Sequence, residues 1–134
     1  MDSRKEHTAM IRGSLDIDAL IRGLVTEAIS KCPKSRDQIA EEMCALTAGK
    51  ITARMLDAYT SQAREQHRFP IAFAPAFCRA VDDCRVVEVV AQRLGMRLID
   101  DRDAQLLELG RQYLAQKHAA EKMAQIEASI QEKK

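Results

Sequence analysis

Side chains suited to pairing with another molecule gather between residues 50 and 68 of the 134-residue chain. Guanidinium, amide, hydroxyl and carboxylate groups all hydrogen-bond the base edges that the major groove of DNA exposes. A helix over 53–64 that turns Met55, Leu56 and Tyr59 inward, at about 100° per residue, presents such groups on its outer face. The residues that we predict to read base edges are Thr52, Arg54, Asp57, Ser61 and Gln62.

Cations and an amide flank that segment on both sides. Such side chains hold phosphates, and phosphate contacts position a protein on DNA without reading its sequence. The net charge is only +1, from 21 Lys+Arg against 20 Asp+Glu, so DNA binding must depend on where the charges lie. The predicted phosphate contacts are Lys34, Arg36, Gln38, Lys50, Arg64 and Arg68.

The same outer face also fits a solvated surface or a contact with another protein. Arg54 and Asp57 are three residues apart, a spacing at which two charges on one helix face pair with each other. Asp57 also repels phosphate unless it accepts from cytosine or orients an arginine. A protein-interaction module built on the same helices therefore stays open as the alternative.

Neither metal chemistry nor catalysis is expected. The four cysteines contain no C-x-x-C pair of the kind that binds zinc, and we expect Cys44 and Cys78 to be small buried apolar side chains. The three histidines lie far apart in the sequence, without a nucleophile and base constellation, and no glycine-rich phosphate loop occurs. We predict no metal, no cofactor and no enzymatic activity.

The elements that position these residues are predicted to be helices, because strong helix formers dominate the composition and aromatic residues make up only 4%. Apolar residues at a 3.6-residue period predict a first helix over 15–31. Ser14 is its expected N-cap, and Pro33 stops it.

Local capping signals predict the next two helices. Ser35 and Gln38 have the spacing of a capping box at the start of a helix over 36–47. Gly49 is the expected left-handed residue after this helix, and Thr52 is the N-cap of the third helix.

Two shorter helices are predicted to follow. Residues 71–74 read as an irregular turn before a helix over 75–81, because Pro75 is tolerated only in a first turn. Val86, Val87, Val90 and Leu94 predict a fifth helix over 84–94, closed by Gly95.

A long helix is predicted from Asp100, Asp101 or Asp103 to about residue 130. It carries two short apolar stripes that we interpret as being in different registers, and a dimerisation or docking role is the leading interpretation. A helix that folds back on its own domain is the alternative. The predicted oligomerisation residues are Leu106, Leu109, Tyr113, Met123, Ile126 and Ile130.

Over about residues 15–95 the chain resembles the lambda-repressor-like (Cro/repressor) helix-turn-helix family. The resemblance lies in Ala40 of the second helix and in the Ile51-Thr52 pair that opens the third. It implies a five-helix domain whose third helix enters the major groove. The spacing from Ala40 to Ile51 is longer than is usual in that family. Segments that look like small regulators of Mu-like prophages are 55–60, 68–70 and 75–78.

The expected protein is all-α, with a flexible arm over 1–13, a five-helix helix-turn-helix domain over 14–99 and a C-terminal helix over 100–134. Its expected function is sequence-specific binding of double-stranded DNA, as a homodimeric transcriptional regulator encoded by a phage or prophage. The alternative is a module that binds a host or phage protein. The charged start and the absence of a long apolar run predict no leader, no membrane span and a cytoplasmic location. The resemblance implies that this location is at the bacterial nucleoid.

Overall fold

The computed structural model describes residues 11–64 and 66–133, and within these ranges every regular element is a helix. The all-α prediction is confirmed, whereas the first ten residues of the predicted arm lie outside the described residues. The α-helices are α1 (Asp18–Lys31), α2 (Arg36–Thr47), α3 (Ala53–Thr60), α4 (Ala74–Val81), α5 (Arg85–Arg93) and α6 (Asp101–Glu132). Short 3₁₀ helices cover Gln62–Arg64 and Ile71–Phe73. None of the described helices is long and apolar enough to cross a membrane.

The hydrophobic core lies among the first five helices. Contacts divide the chain after Arg97. In the unit before that point, α2 packs against α4, α3 packs against α1 and α2, and α5 packs against α1 and α4. The largest side chains in this core that are fully buried are Phe77, Ile39, Met43, Leu56 and Val25.

Aromatic contacts hold the loop after α3 against this core. The ring of Phe69 meets the ring of Tyr59 edge-on at a centroid distance of 5.7 Å and that of Phe77 at 5.2 Å. Edge-on contacts of this kind add to the free energy gained from burial alone. The loop is therefore anchored at Phe69, close to the point where the chain enters α4.

The start of α1 differs from the prediction. The helix begins at Asp18, its N-cap residue Ile17 makes no side-chain cap, and Ser14 is not the N-cap. Gly13 takes a positive φ of 78°, and turns over residues 11–16 place the Ser14 amide on the carbonyl of Ile11 at 3.3 Å. Because Ser14 forms part of these turns, it does not cap the helix, which starts three residues later than expected.

An ion-pair cluster joins α1 to α5. Arg85 contacts Glu27 of α1 at 3.2 Å and Asp83, just before its own helix, at 2.8 Å. The hydrogen bond from Arg85 lowers the pKa of Asp83 below its usual value, and hydrogen bonds from Lys31 and Arg85 lower the pKa of Glu27. Both carboxylates therefore stay charged at neutral pH and hold α5 against α1.

Arg22 of α1 is the charged residue that is buried in the described core, with 7% of its surface exposed. Its guanidinium donates hydrogen bonds to the carbonyl oxygens of Ser61 at 2.8 Å, Tyr59 at 3.2 Å and Ala58 at 3.4 Å. Asp18, one turn earlier, lies 3.6 Å from the same group. The last carbonyls of a helix have no partner within the helix, so Arg22 satisfies the C-terminus of α3 from a neighbouring helix.

This contact explains why the third helix is shorter than predicted. The prediction of one helix over 53–64 is wrong, because α3 ends at Thr60 and Ser61 is extended, with φ −84° and ψ 120°. The carbonyls of Ala58 and Tyr59 would accept from the amides four residues later if the helix continued. Arg22 takes their place as the donor, and the chain leaves the helix.

Replacing Arg22 with methionine keeps the apolar stem but leaves three carbonyl oxygens at the end of α3 without their donor. We expect Arg22→Met to lower the free energy of unfolding by about 2–4 kcal/mol, because each buried acceptor loses a charged partner. Urea unfolding followed by circular dichroism measures this. Arg93→Met, at an exposed position of α5, is the matched control and should change the stability by no more than about 0.5 kcal/mol. Equal effects of the two substitutions would contradict the role of Arg22.

The second unit, Leu98–Lys134, consists mainly of α6. Asp100 is its N-cap and accepts from the amide of Asp103 at 2.7 Å, as one of the three sequence options predicted. The helix is 32 residues long, about 48 Å at 1.5 Å per residue, and none of its residues is buried.

Candidate nucleic-acid interface

The segment around residue 50 is positioned by α2, whose start follows the predicted capping box. Ser35 Oγ accepts from the amide of Gln38 at 3.2 Å, and Gln38 Oε1 accepts from the amide of Ser35 at 2.8 Å. The helix begins at Arg36 and ends at Thr47, as predicted. Ile39, Ala40 and Met43 on its inner face are buried.

The turn after α2 differs from the prediction in the residue that reverses the chain. Ala48 takes the left-handed conformation, with φ 55° and ψ 23°, so Gly49 is not the left-handed cap. Cys44 closes the turn, because its thiol donates to the carbonyl of Ile51 at 3.0 Å and accepts from the Ile51 amide at 3.1 Å. These bonds hold the buried Ile51 beneath the turn, and Thr52 then caps α3 by accepting from the amide of Met55 at 3.2 Å.

Helix α3 separates an inner face from an outer face as the period predicted. Leu56 and Tyr59 are buried and Met55 is half-buried against the core, with Ala58 as a further buried residue. Thr52, Arg54 and Asp57 are exposed. The outer face of the helix is therefore a small polar surface, and Arg54 and Asp57 are its charged groups.

Asp57 does not pair with Arg54. The Arg36 guanidinium donates to Asp57 at 2.8 Å and to the Thr60 hydroxyl at 3.0 Å, which joins the start of α2 to the second half of α3. A predicted phosphate contact and a predicted base reader are thus paired with each other. This ion pair is partly exposed, so it positions the two helices rather than contributing much stability.

Two other predicted phosphate contacts have structural partners. The Lys34 ammonium donates to the Glu42 carboxylate at 2.5 Å and to the carbonyl of Ala80 at 2.9 Å. The hydrogen bond to Glu42 raises the pKa of Lys34. The amide oxygen of Gln38 belongs to the capping box. Both side chains hold α2 in place.

The residues after α3 do not continue its outer face. Ser61 is half-buried and uses its carbonyl oxygen to accept from Arg22, while Gln62 is exposed in the 3₁₀ helix. Arg68 is exposed and lies 3.8 Å from Asp18 at the start of α1. The side chain of Arg64 lies outside what the structure describes. The prediction that Ser61 shares a helical face with Arg54 is wrong, because α3 ends before it.

Lys50 and Arg54 remain as exposed cations beside the N-terminus of α3. Among the described residues, neither side chain has an ion-pair or hydrogen-bond partner. Lys50 lies two residues before the N-cap, and Arg54 lies in the first turn. The first backbone amides of a helix carry partial positive charge, so these two cations add to a local positive potential.

Packing against the core or hydrogen bonds of the turn account for Cys78 and Cys44. Cys78 is buried, and burial raises the pKa of its thiol to about 12, so it is not a thiolate at neutral pH. Cys44 is only half-buried and serves the turn. Within the described residues no group of three or more histidine, cysteine or carboxylate side chains is arranged to hold a metal ion. The absence of enzymatic activity stays a prediction.

Arg22 is the residue that the sequence argument missed. It is spaced with Val25, Ala28 and Ile29 on the buried stripe of α1, and an arginine in such a stripe needs a buried acceptor. That position was the available signal. Its partners, 36 to 39 residues away, carry no signal because they are backbone carbonyls.

No protein-family model, curated protein or solved structure matches the chain. Function is therefore inferred from the residues and their contacts.

Ala48 gives a test of the turn that positions α3. A left-handed conformation is unfavourable for alanine, so we expect Ala48→Gly to raise the free energy of unfolding by up to about 1 kcal/mol, partly offset by the freer unfolded chain. Ala45→Gly, on the exposed side of the last turn of α2, is the matched control and should lower it by about 1 kcal/mol. Chemical denaturation of both variants measures this. A destabilised Ala48→Gly would show that the turn is not left-handed in solution.

Proposed function

We propose that the protein binds duplex DNA in a sequence-specific manner and regulates transcription. In this proposal α2 and α3 form a helix-turn-helix, as the resemblance to the lambda-repressor-like family implies, and α3 enters the major groove. The observation that carries the proposal is a pair of exposed cations, Lys50 and Arg54, at the capped N-terminus of a helix whose other face is buried. Neither has a partner within the described part of the chain.

The roles of these residues follow from their positions. Arg54 lies in the first turn of α3, where recognition helices contact base edges, and its guanidinium can pair bidentately with guanine. Lys50 precedes the helix, where a flexible ammonium fits a phosphate. Thr52, the N-cap of α3, is exposed on the same surface. The helix N-terminus itself favours an anion through its free amides.

Asp57 is proposed as a positioning residue and not as a base reader. Its carboxylate accepts from Arg36 at 2.8 Å, so it fixes the angle between α2 and α3 and lowers the net positive charge of the surface. A surface with few free cations binds DNA weakly without base contacts, because most non-specific affinity comes from neutralised phosphates.

A second candidate function is protein binding through the same helices. It is favoured by the exposed carboxylates Asp37 and Glu41 on α2, which repel phosphate, and by exposed apolar side chains on α2 and on the second 3₁₀ helix. Leu46 at the end of α2 is 50% exposed, and Ile71 is 78% exposed. Apolar groups rimmed by charge are typical of contacts between proteins.

Gel-shift titrations against a random duplex library, at low and at physiological salt, test the proposal. We expect binding that weakens steeply with salt, and selection from the library should yield a preferred sequence. Arg54→Ala should reduce that preference by about tenfold or more, because a bidentate base contact is lost. Lys50→Ala should weaken binding to all sequences alike and lower the salt dependence by about one ion. No duplex binding at low salt would leave protein binding as the better explanation.

Asp57→Asn separates its positioning role from base reading. If the carboxylate only pairs with Arg36, the substitution removes a negative charge and frees a cation, so affinity for random duplexes at low salt should rise by roughly threefold or more. Glu88→Gln makes the same change of charge on α5 and should have little effect. Unchanged affinity of Asp57→Asn for random duplexes would contradict this, because it would show that the carboxylate does not hold Arg36 away from phosphate.

A further inference from the structure

Six apolar residues of α6 share one seven-residue repeat, which Arg102, Gln116 and Glu127 complete, whereas Leu107, Leu114 and Ile126 lie off it. Met123 and Ile130 lie two and three heptads after Leu109, and Tyr113 lies one heptad after Leu106. All of the predicted oligomerisation residues except Ile126 fall on this repeat, whereas the stripe of Met123, Ile126 and Ile130 keeps its own 3-4 spacing in a different register, as expected from the sequence. The positions that form this heptad seam are Arg102, Leu106, Leu109, Tyr113, Gln116, Ala120, Met123, Glu127 and Ile130.

The large apolar side chains of the heptad seam are uncovered. Leu106, Leu109, Tyr113, Met123 and Ile130 are between 54% and 66% exposed. A strict seven-residue repeat fits a left-handed supercoil of two or more helices, since it matches 3.5 residues per turn. A second helix with the same repeat would cover the heptad seam along its length.

Two opposite charges on the heptad seam distinguish the ways in which two copies can pair. Arg102 lies near the start of α6 and Glu127 near its end. In a parallel pair of identical helices each residue meets its own copy, so the arginines would face each other and so would the glutamates. In an antiparallel pair Arg102 can meet Glu127 of the partner subunit, and two-fold symmetry repeats the contact at the other end.

The antiparallel alignment that pairs these charges also pairs the rest of the heptad seam except Ile130, which lies opposite residue 99, before the start of the partner's α6. Leu106 then lies opposite Met123 of the partner subunit, Leu109 opposite Ala120, and Tyr113 opposite Gln116, with each contact occurring twice. Each leucine thus faces a flexible or a small side chain, and the hydroxyl-bearing ring of Tyr113 faces the polar Gln116. Almost the whole of α6 is overlapped.

Neighbouring alignments are worse. Sliding one helix by a heptad in one direction sets Leu109 against Glu127 of the partner subunit. Sliding it in the other direction sets Arg102 against Ala120 and takes Glu127 beyond the start of the partner's helix. Either shift leaves a charge on the heptad seam without an opposite charge, which is unfavourable where water is excluded.

We propose that a second copy of this chain covers the heptad seam, forming an antiparallel coiled coil whose alignment is set by ion pairs between Arg102 and Glu127 of the partner subunit. A polar pair within an apolar seam commonly specifies register and orientation in coiled coils. The pairing does not depend on DNA, so it is measured without DNA.

Sedimentation equilibrium of the full chain, over a range of concentrations, tests the pairing through charge reversal. Arg102→Glu and Glu127→Arg each place like charges together at both ends of an antiparallel dimer, and each should raise its dissociation constant by about tenfold or more. The double variant R102E/E127R restores opposite charges and should return to within about threefold of the unaltered chain. Neither single change harms the helix itself, because a glutamate suits its N-terminus and an arginine its C-terminus.

Matched controls make the same charge reversals away from the heptad seam. Arg111→Glu and Glu121→Arg alter exposed positions of α6 on its other faces and should change the dissociation constant by less than about threefold. A monomeric full chain would overturn the proposal. So would single reversals that leave dimerisation unchanged, as a parallel pair or a contact elsewhere predicts. Failure of the double variant to recover would overturn the charge pairing that sets the alignment.

Discussion

The guanidinium of Arg22 determines the form of the candidate site. It reaches from α1 to three carbonyl oxygens at the end of α3, and so it ends that helix after eight residues and ties it to α1. A buried charge must be surrounded by acceptors, which leaves little freedom in how these two helices pack. The other end of α3 is held as closely, by the Thr52 cap and by the two bonds between Cys44 and Ile51. A short helix fixed at both ends can present its outer face rigidly.

Most charges around that outer face serve the protein's own architecture. Lys34 pairs with Glu42, and Arg36 pairs with Asp57, so two of the predicted phosphate contacts are neutralised within the fold. Lys50 and Arg54 are the exceptions on the turn and on α3. A DNA-binding surface with so few free cations depends on a small number of specific contacts, and pairing two copies through α6 would double them. The two proposals are therefore compatible, although each is tested separately.

Local signals predicted the parts of the fold that depend on neighbouring residues. The capping box at Ser35, the cap at Thr52 and the inner face of α3 each depend on residues no more than four positions apart, so the sequence pattern predicts them. The end of α3 and the pairing of Asp57 with Arg36 depend on residues 21 or more positions away, which no local pattern encodes. The prediction of Gly49 as the left-handed residue after α2 is wrong, because Ala48 takes that conformation one residue earlier. The hydrogen bonds of the Cys44 thiol to the backbone of Ile51 close the turn there.

The most direct measurement of the central claim, that the fixed outer face of α3 contacts DNA, is the change in backbone amide resonances when a short duplex is added at low salt. We expect the largest changes in amide resonances at residues 50–57 and little change in α5. Changes centred on α5, or resonances that do not move at all at saturating duplex, would contradict it.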